Sequence, residues 1–357
     1  MALQIVPGIG SITLRRLVDH FGSPEAVLKA QTSELDATGW LSIRLKNAIL
    51  AGPDWRLHKR CMETIEGLGV WTITYRDKEY PKPLGQIPDP PAILYGLGDR
   101  NVLNGKAVAV IGSRKASAYG IKAASEIASG LAEKGITVVS GLAPGIDFAA
   151  HEATLKSGGV TIAVKGCGID VPYPRHDKAF IKRITSSGAI ITEFPPGTAP
   201  EPKNFPIRNR IISGLCLAVV VIEAGLKSGS LITASCALEQ GREVMAVPGS
   251  IYSNGSTGSH WLIKQGARLV ENATDILDGF CIFQTGHAEP DVPNRPNIMS
   301  LGPEERLLYN MLDAYPVHID EIVHSSGLPV AQVNGILLQM ELKDLIQVLP
   351  GQMYQKK

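Results

Sequence analysis

Ala107-Val108-Ala109-Val110-Ile111 runs straight into Gly112-Ser113-Arg114-Lys115-Ala116-Ser117-Ala118-Tyr119-Gly120. Five consecutive small or β-branched apolar residues leave no polar face, so a strand built from them must be covered on both sides. The glycine, hydroxyls and adjacent cations that follow open a helix expected over residues 120–134. The same strand–turn–helix pattern recurs. Further strands are expected at 137–140, 161–164, 189–192, 217–222 and 244–247, with a shorter one at 268–270. Helical stretches fall between them, at 148–156, 178–186 and 231–240. Repeated β–α units predict a doubly wound α/β fold on a mostly parallel sheet. Apolar segments at 70–75 and 92–95, separated by the proline-rich stretch 80–91, extend this domain to residues 69–283.

The flanks read differently. Residues 1–68 pattern as short helices at 12–21, 24–30, 42–51 and 54–68. Pro7-Gly8-Ile9-Gly10 before the first of them is a hairpin signal of the helix-hairpin-helix kind. Such a turn aims backbone N–H groups at a phosphate, or is simply a turn and cap. Residues 284–302 are polar, carry Pro290, Pro293 and Pro296, and read as a linker. Helical segments at 304–313, 319–325 and 330–342 follow. Residues 345–349 and 352–354 then flank Pro350-Gly351 as a two-stranded wing. Three helices and a terminal hairpin is the order of a winged-helix domain, here 303–357.

The 357 residues, 44% of them hydrophobic, suffice for two or three domains. The five cysteines form no C-x-x-C pair, which argues against a zinc site or a disulfide framework. The first residues lack a basic and apolar leader, and the longest apolar run, 215–224, is too short to span a bilayer. A reducing, cytoplasmic setting is expected, with no membrane association, no metal and no cofactor. The formal net charge is only +1, so a polyanion would have to find one particular face.

Candidates for that face lie where strands end. In a doubly wound sheet, ligands bind beyond the carboxyl ends of the strands. Gly112, Ser113, Arg114 and Lys115 read there as a phosphate cradle, or as an ordinary capped βα turn with exposed charges; neither G-x-G-x-x-G nor a P-loop is present. Lys203-Asn204-Phe205-Pro206 and Arg208-Asn209-Arg210 place three cations and one ring within eight residues, between two apolar strands. Guanidinium forks and an ammonium suit phosphate oxygens, and a phenyl ring offers a face to a base. Ser228-Gly229-Ser230, at the start of another helix, add a further anion-friendly terminus.

Other chemistry is open at this point. Asp147 and His151 share a helix face and form either an acid–base dyad or a capping pair. Glu193 and Glu223 end strands on the same edge. They line a hydrolytic pocket with His151 and Arg114, or they pair with Arg114, Arg208 and Arg210. Lys227-Ser228 is a possible Ser–Lys nucleophile. A nucleotide-processing hydrolase of the phosphoribohydrolase kind is therefore the alternative function, although Pro248-Gly249 runs into Ser250-Ile251 and breaks that family's P-G-G-x-G-T stretch.

Several motifs stand in one order along the chain. They are Gly112-Ser113-Arg114, Tyr119-Gly120, Ser140-Gly141-Leu142-Ala143, Gly145-Ile146-Asp147, Ala150-His151 and Gly168-Ile169-Asp170 through Tyr173-Pro174. Phe205-Pro206 with Arg208-Asn209-Arg210, Ser228-Gly229-Ser230 with Thr233-Ala234, and Pro248-Gly249 complete them. This set resembles the DNA-processing protein A (DprA/Smf) family over residues 70–280. The N-terminal helices resemble its sterile-alpha-motif-like or helix-hairpin-helix module, and the C-terminal segment its winged helix. The resemblance implies an extended Rossmann-like core and a non-enzymatic protein. Such a protein binds and protects single-stranded DNA and helps load the RecA recombinase onto it in natural transformation. It also implies a homodimer formed through the core, with Arg114, Lys203 and Phe205 as DNA contacts. The expected recognition helix of the wing, 330–342, is poor in cations. Glu304, Glu305, Asp313, Asp320, Glu321, Glu341 and Asp344 outnumber Arg306, Lys343, Lys356 and Lys357, so this domain is expected to be mainly a protein-contact or regulatory module.

Overall fold

A computed structural model of the chain describes residues 1–174, 178–283, 302–312, 317–343, 345–349 and 351–356. Apart from Gly302, the linker expected over 284–302 lies outside the described residues. The chain divides into two compact units, Met1–Phe280 and Cys281–Lys357.

Nine strands build the sheet of the first unit: β1 (Trp71–Thr74), β2 (Ile93–Gly98), β3 (Ala107–Ile111), β4 (Thr137–Ser140), β5 (Thr161–Val164), β6 (Ala189–Thr192), β7 (Ala218–Val221), β8 (Glu243–Ala246) and β9 (Arg268–Leu269). Their order is β1-β2-β6-β5-β4-β3-β7-β8-β9. All pairings from β6 to β9 are parallel, and β1 and β2 extend that edge in antiparallel fashion. Every residue of β3 through β7 is buried, as near-continuous apolar runs require. Alternate side chains serve opposite faces. Ala109, Ile111, Val139 and Val221 pack with Ile211 and Ile212 on one side. Val108, Val110, Val138 and Val220 pack with Ala124, Ile127 and Ala150 on the other.

The chain leaves β3 for β4, β5 and β6 on one side, then crosses to β7, β8 and β9 on the other. The strand order therefore reverses between β3 and β7. The loops after those two strands diverge there and leave a crevice. They are stitched together beneath it: Ser113 N donates to Glu223 O at 2.7 Å, and the Glu223 carboxylate accepts from Ser117 N (2.9 Å) and Ser117 Oγ (3.1 Å).

Three helices escape the periodicity argument. Helix Asn204–Gly214 buries Arg208, Asn209 and Arg210 beside Ile211 and Ile212 while exposing Ile207, so no polar stripe marks it. The stretch 254–260, which reads as a loose rim, is a short 3-10 turn followed by helix Thr257–Lys264, with Ser256, Gly258 and Ser259 buried. Helix Ala273–Phe283 closes the domain. The first residues also join the sheet. Ser11, which opens helix Ser11–Phe21, turns its hydroxyl onto Glu193 Oε2 at 3.1 Å. Leu3, Leu17 and Leu35 of these early helices share one apolar cluster with Tyr95, Ala163 and Ile190.

The second unit holds helices Pro303–Met311, Ile319–Ser326 and Val330–Leu342 with strands Ile346–Leu349 and Met353–Lys356. A short strand, Val317–His318, adds a third member to the wing. Leu308, Ile322, Val333 and Met340 form its core. This is a winged-helix domain.

Candidate nucleic-acid interface

A cleft of about 560 Å³ opens at the β3/β7 switch point. Gly112, Ser113, Arg114 and Lys115 form one wall, and Lys227, Ser228, Gly229 and Ser230 another; Phe205, Arg208 and Asn209 complete it. First-turn residues of helices Ile146–Lys156, Asn204–Gly214 and Gly229–Glu239 all border it, namely Asp147, Phe205 and Ser230. The positive ends of three helices thus converge on one hollow.

Arg114, Lys115 and Lys227 are exposed, whereas Phe205 is half-buried. The Arg114 guanidinium carbon lies 5.4 Å from the Phe205 ring centroid, and that of Arg208 lies 5.9 Å away. Tyr173 approaches the same ring at 5.5 Å between centroids. Gly166 packs under the ring, and a Cβ there would come within 2.9 Å of it. Phe205 is therefore held by cations and a second aromatic.

Arg208 is the floor of the cleft. It is almost fully buried, donates from Nη1 to Val164 O at 2.6 Å and lies against Gly141 and the Asp147 carboxylate. Burial pulls its pKa down to about 10; Asp147 opposes that shift and Arg114 reinforces it. Burial also raises the pKa of Asp147, against the pull of Arg208 and of hydrogen bonds from Ala143 N and Gly141 N. The buried side chain of Asn209 donates to Gly229 O at 3.3 Å and ties the middle of its helix to the start of helix Gly229–Glu239. Ser228 Oγ caps its helix by accepting from Ser230 N and sits 2.7 Å from Ser230 Oγ.

Two of the sequence candidates stand elsewhere. Lys203 precedes the Phe205 helix, is three-quarters exposed, and pairs with Glu201 at 2.6 Å outside the cleft. Arg210 departs from the expectation of a backbone-tracking cation. It is buried, with Nη2 2.6 Å from Glu193 Oε2 and Nε 2.7 Å from Asp89 Oδ2. It borders a separate hollow with Asp89, Cys236 and Glu239. Burial raises the pKa of the Glu193 carboxyl, and Arg210 and Ser11 act to lower it. Lys227 is the cation the sequence reading passes over as a site residue; its place beside the Ser228 cap was the available signal.

The arrangement gives no support to the hydrolytic alternatives. Asp147 is spent on backbone amides, while His151 is fully buried with Nδ1 2.7 Å from Thr161 Oγ1. They do not form a dyad facing the cleft. Glu193 and Glu223 are buried and engaged as described above, and Ser228 is a helix cap rather than a nucleophile. Among the described residues no cluster of His, Cys, Asp or Glu is suited to a metal ion. Among the described residues no helix is long and apolar enough to cross a membrane.

Comparison with known proteins matches this picture. The model of the DNA recombination-mediator protein A family matches residues 71–280, and that of the DprA winged helix domain matches residues 292–352. Protein Smf of Escherichia coli is 43% identical over 279 residues, covering 76% of this chain and 74% of the relative. The structure of DNA processing protein A from Streptococcus pneumoniae superposes with a TM-score of 0.67 at 37% identity, over 78% of this chain and 95% of that one. DNA processing protein A from Helicobacter pylori, whose structure concerns its single-stranded DNA binding mode, superposes with a TM-score of 0.54 at 30% identity, over 60% and 96%. By its sheet, its winged helix and these matches, the chain belongs to the DNA recombination-mediator protein A family.

Proposed function

We propose that this protein binds single-stranded DNA in the cleft between β3 and β7. The observation that carries the reading is one cleft that holds the half-buried Phe205 ring with Arg114 over it, lined also by the exposed Lys115 and Lys227 and by the first turns of three helices. Cations tracking phosphates give affinity without sequence preference, and a ring that stacks on a base selects for an unpaired strand. A base can reach Phe205 only when it is free of a partner strand. Lys203, once released from Glu201, extends the phosphate track beyond the cleft. The work is binding rather than catalysis.

Family membership and the single-stranded DNA binding mode of the Helicobacter pylori relative support the wider role. In it a cytoplasmic homodimer protects incoming single strands during natural transformation and hands them to a RecA-type recombinase.

Gel shifts with labelled single- and double-stranded oligonucleotides at two salt concentrations test the reading. Tight, salt-sensitive retention of the single strand over the duplex is expected. Equal retention of both, or none, would overturn it.

A further inference from the structure

Glu193 ends β6 and is shared between two parts of the fold that are far apart in sequence. On one side are the first residues of the chain. Ser11 Oγ donates to Glu193 Oε2 at 3.1 Å, and Gln4 Nε2 donates to the Glu193 backbone oxygen at 2.9 Å. Gln4 is itself fixed by Tyr95, whose hydroxyl donates to Gln4 Oε1 at 2.7 Å. On the other side is helix Asn204–Gly214. Arg210 Nη2 reaches the same Oε2 atom at 2.6 Å. Gln240 Nε2 donates to Arg210 O at 3.0 Å and pins the backbone of that helix.

One carboxylate oxygen thus receives both the early helices and the helix that carries Phe205 and Arg208. Glu193 and Arg210 are each more than nine-tenths buried, and Glu193 Oε1 and Arg210 Nη1 have no hydrogen-bond partner among the described residues. A buried ion pair with spare valences is sensitive to the loss of any one bond, because a buried polar group left unpaired bears its desolvation cost. A helix moves as a rigid body over one and a half turns, so the seat of Arg210 fixes the direction of Phe205, five residues earlier. The Phe205 ring has little slack, given its contact with Gly166.

We propose that Glu193 is a positioning residue through which the early helices of the chain set the placement of Phe205 and Arg208. Those helices then tune single-strand binding without touching the strand. This rests on the reading of the cleft as the DNA site.

The test uses the full chain and oligonucleotides carrying 2-aminopurine, whose emission falls on stacking. Ser11→Ala removes one hydrogen bond at a residue outside the cleft. It should weaken single-strand affinity about threefold to tenfold, within the span of long-range coupling effects. It should also diminish the emission change, and Ser11→Thr, which keeps the hydroxyl, should restore both. In the Phe205→Ala background, Ser11→Ala should leave the emission unchanged and cost less affinity than it does in the parent, the remainder acting through Arg208. A purely structural bond predicts otherwise: a lowered melting temperature with unchanged affinity and emission in Ser11→Ala, or losses from Ser11 and Phe205 that multiply in full. Either result overturns the proposal. If the unaltered protein fails to retain any single strand, the DNA reading itself fails, and that outcome is separate.

Discussion

At the residue scale the cleft separates contact from support. Arg114, Lys115 and Lys227 are solvent-facing cations, and each should act mainly through phosphate. Arg114→Ala and Lys227→Ala should lower single-strand affinity for all sequences alike. Each should reduce the slope of log affinity against log salt by about 0.7 for every phosphate left without its cation. Isothermal titrations at several salt concentrations check this, and an unchanged slope in both variants counts against the assignment. Phe205→Ala should cost about 1–3 kcal/mol of binding per stacked base, roughly a 5- to 150-fold loss, with little change in salt slope. Arg210 belongs to the other class. Arg210→Ala leaves Glu193 buried without its cation and should destabilise the fold by about 3–5 kcal/mol, seen as a lower denaturant midpoint. The sequence made the cleft residues legible because Arg114 and Phe205 follow strand ends or sit beside other cations. It left the role of Arg210 open between phosphate contact and a pair with Glu193, and it gave no sign of Asp89, which only the folded sheet brings to the guanidinium.

At the scale of elements, strands were easier to read than helices. Runs such as Thr161–Val164 and Ala189–Thr192 are buried on both faces, and hydrophobic continuity alone bounds them. Helix Asn204–Gly214 fails that test, because it buries Arg208, Asn209 and Arg210 alongside Ile211 and Ile212. The loops between elements are tightly keyed as well. Gly145 adopts φ +84°, and a Cβ there would run into the backbone oxygens of Ser113 and Arg114. Ile146 N donates to Ser113 O at 3.2 Å in the same place. Gly145→Ala should therefore push the β3 loop outward. We expect a stability loss of about 1–3 kcal/mol from the backbone strain and a weakened single-strand affinity. Thermal denaturation and titration of the same preparation check the two effects, and an affinity equal to that of the parent would show that the β3 loop is not part of the site.

At the scale of the whole molecule, the two units carry different surface chemistry. The winged-helix unit has its own core, and two of its acids are occupied locally: Glu305 by Lys343 at 2.7 Å, and Glu304 by Gln332 at 2.7 Å. Its described cations, Arg306, Lys343 and Lys356, are outnumbered by Glu304, Glu305, Asp320, Glu321 and Glu341. Deleting residues 281–357 should leave single-strand affinity within about twofold, since phosphate neutralisation dominates binding and the cleft cations remain. A fluorescence polarisation titration of the truncated chain decides this, and a large loss would assign the wing a direct part in holding DNA. The C-terminal winged helix was visible in the sequence from the helical segments and hairpin that follow the strand-helix alternation. How closely the early helices join the sheet was not, because their apolar faces look alike whether they pack on each other or on Tyr95 and Ile190.

Parallel strands sort the turns of this core onto two opposite rims. The cleft occupies one. The short reversals at Lys134-Gly135, Ser157-Gly158 and Gln240-Gly241, which enter β4, β5 and β8, occupy the other. A dye or an immobilising tether grafted onto that far rim would leave the cleft unobstructed. Molecules anchored there would all present the cleft outward, an orientation suited to watching single strands arrive one at a time.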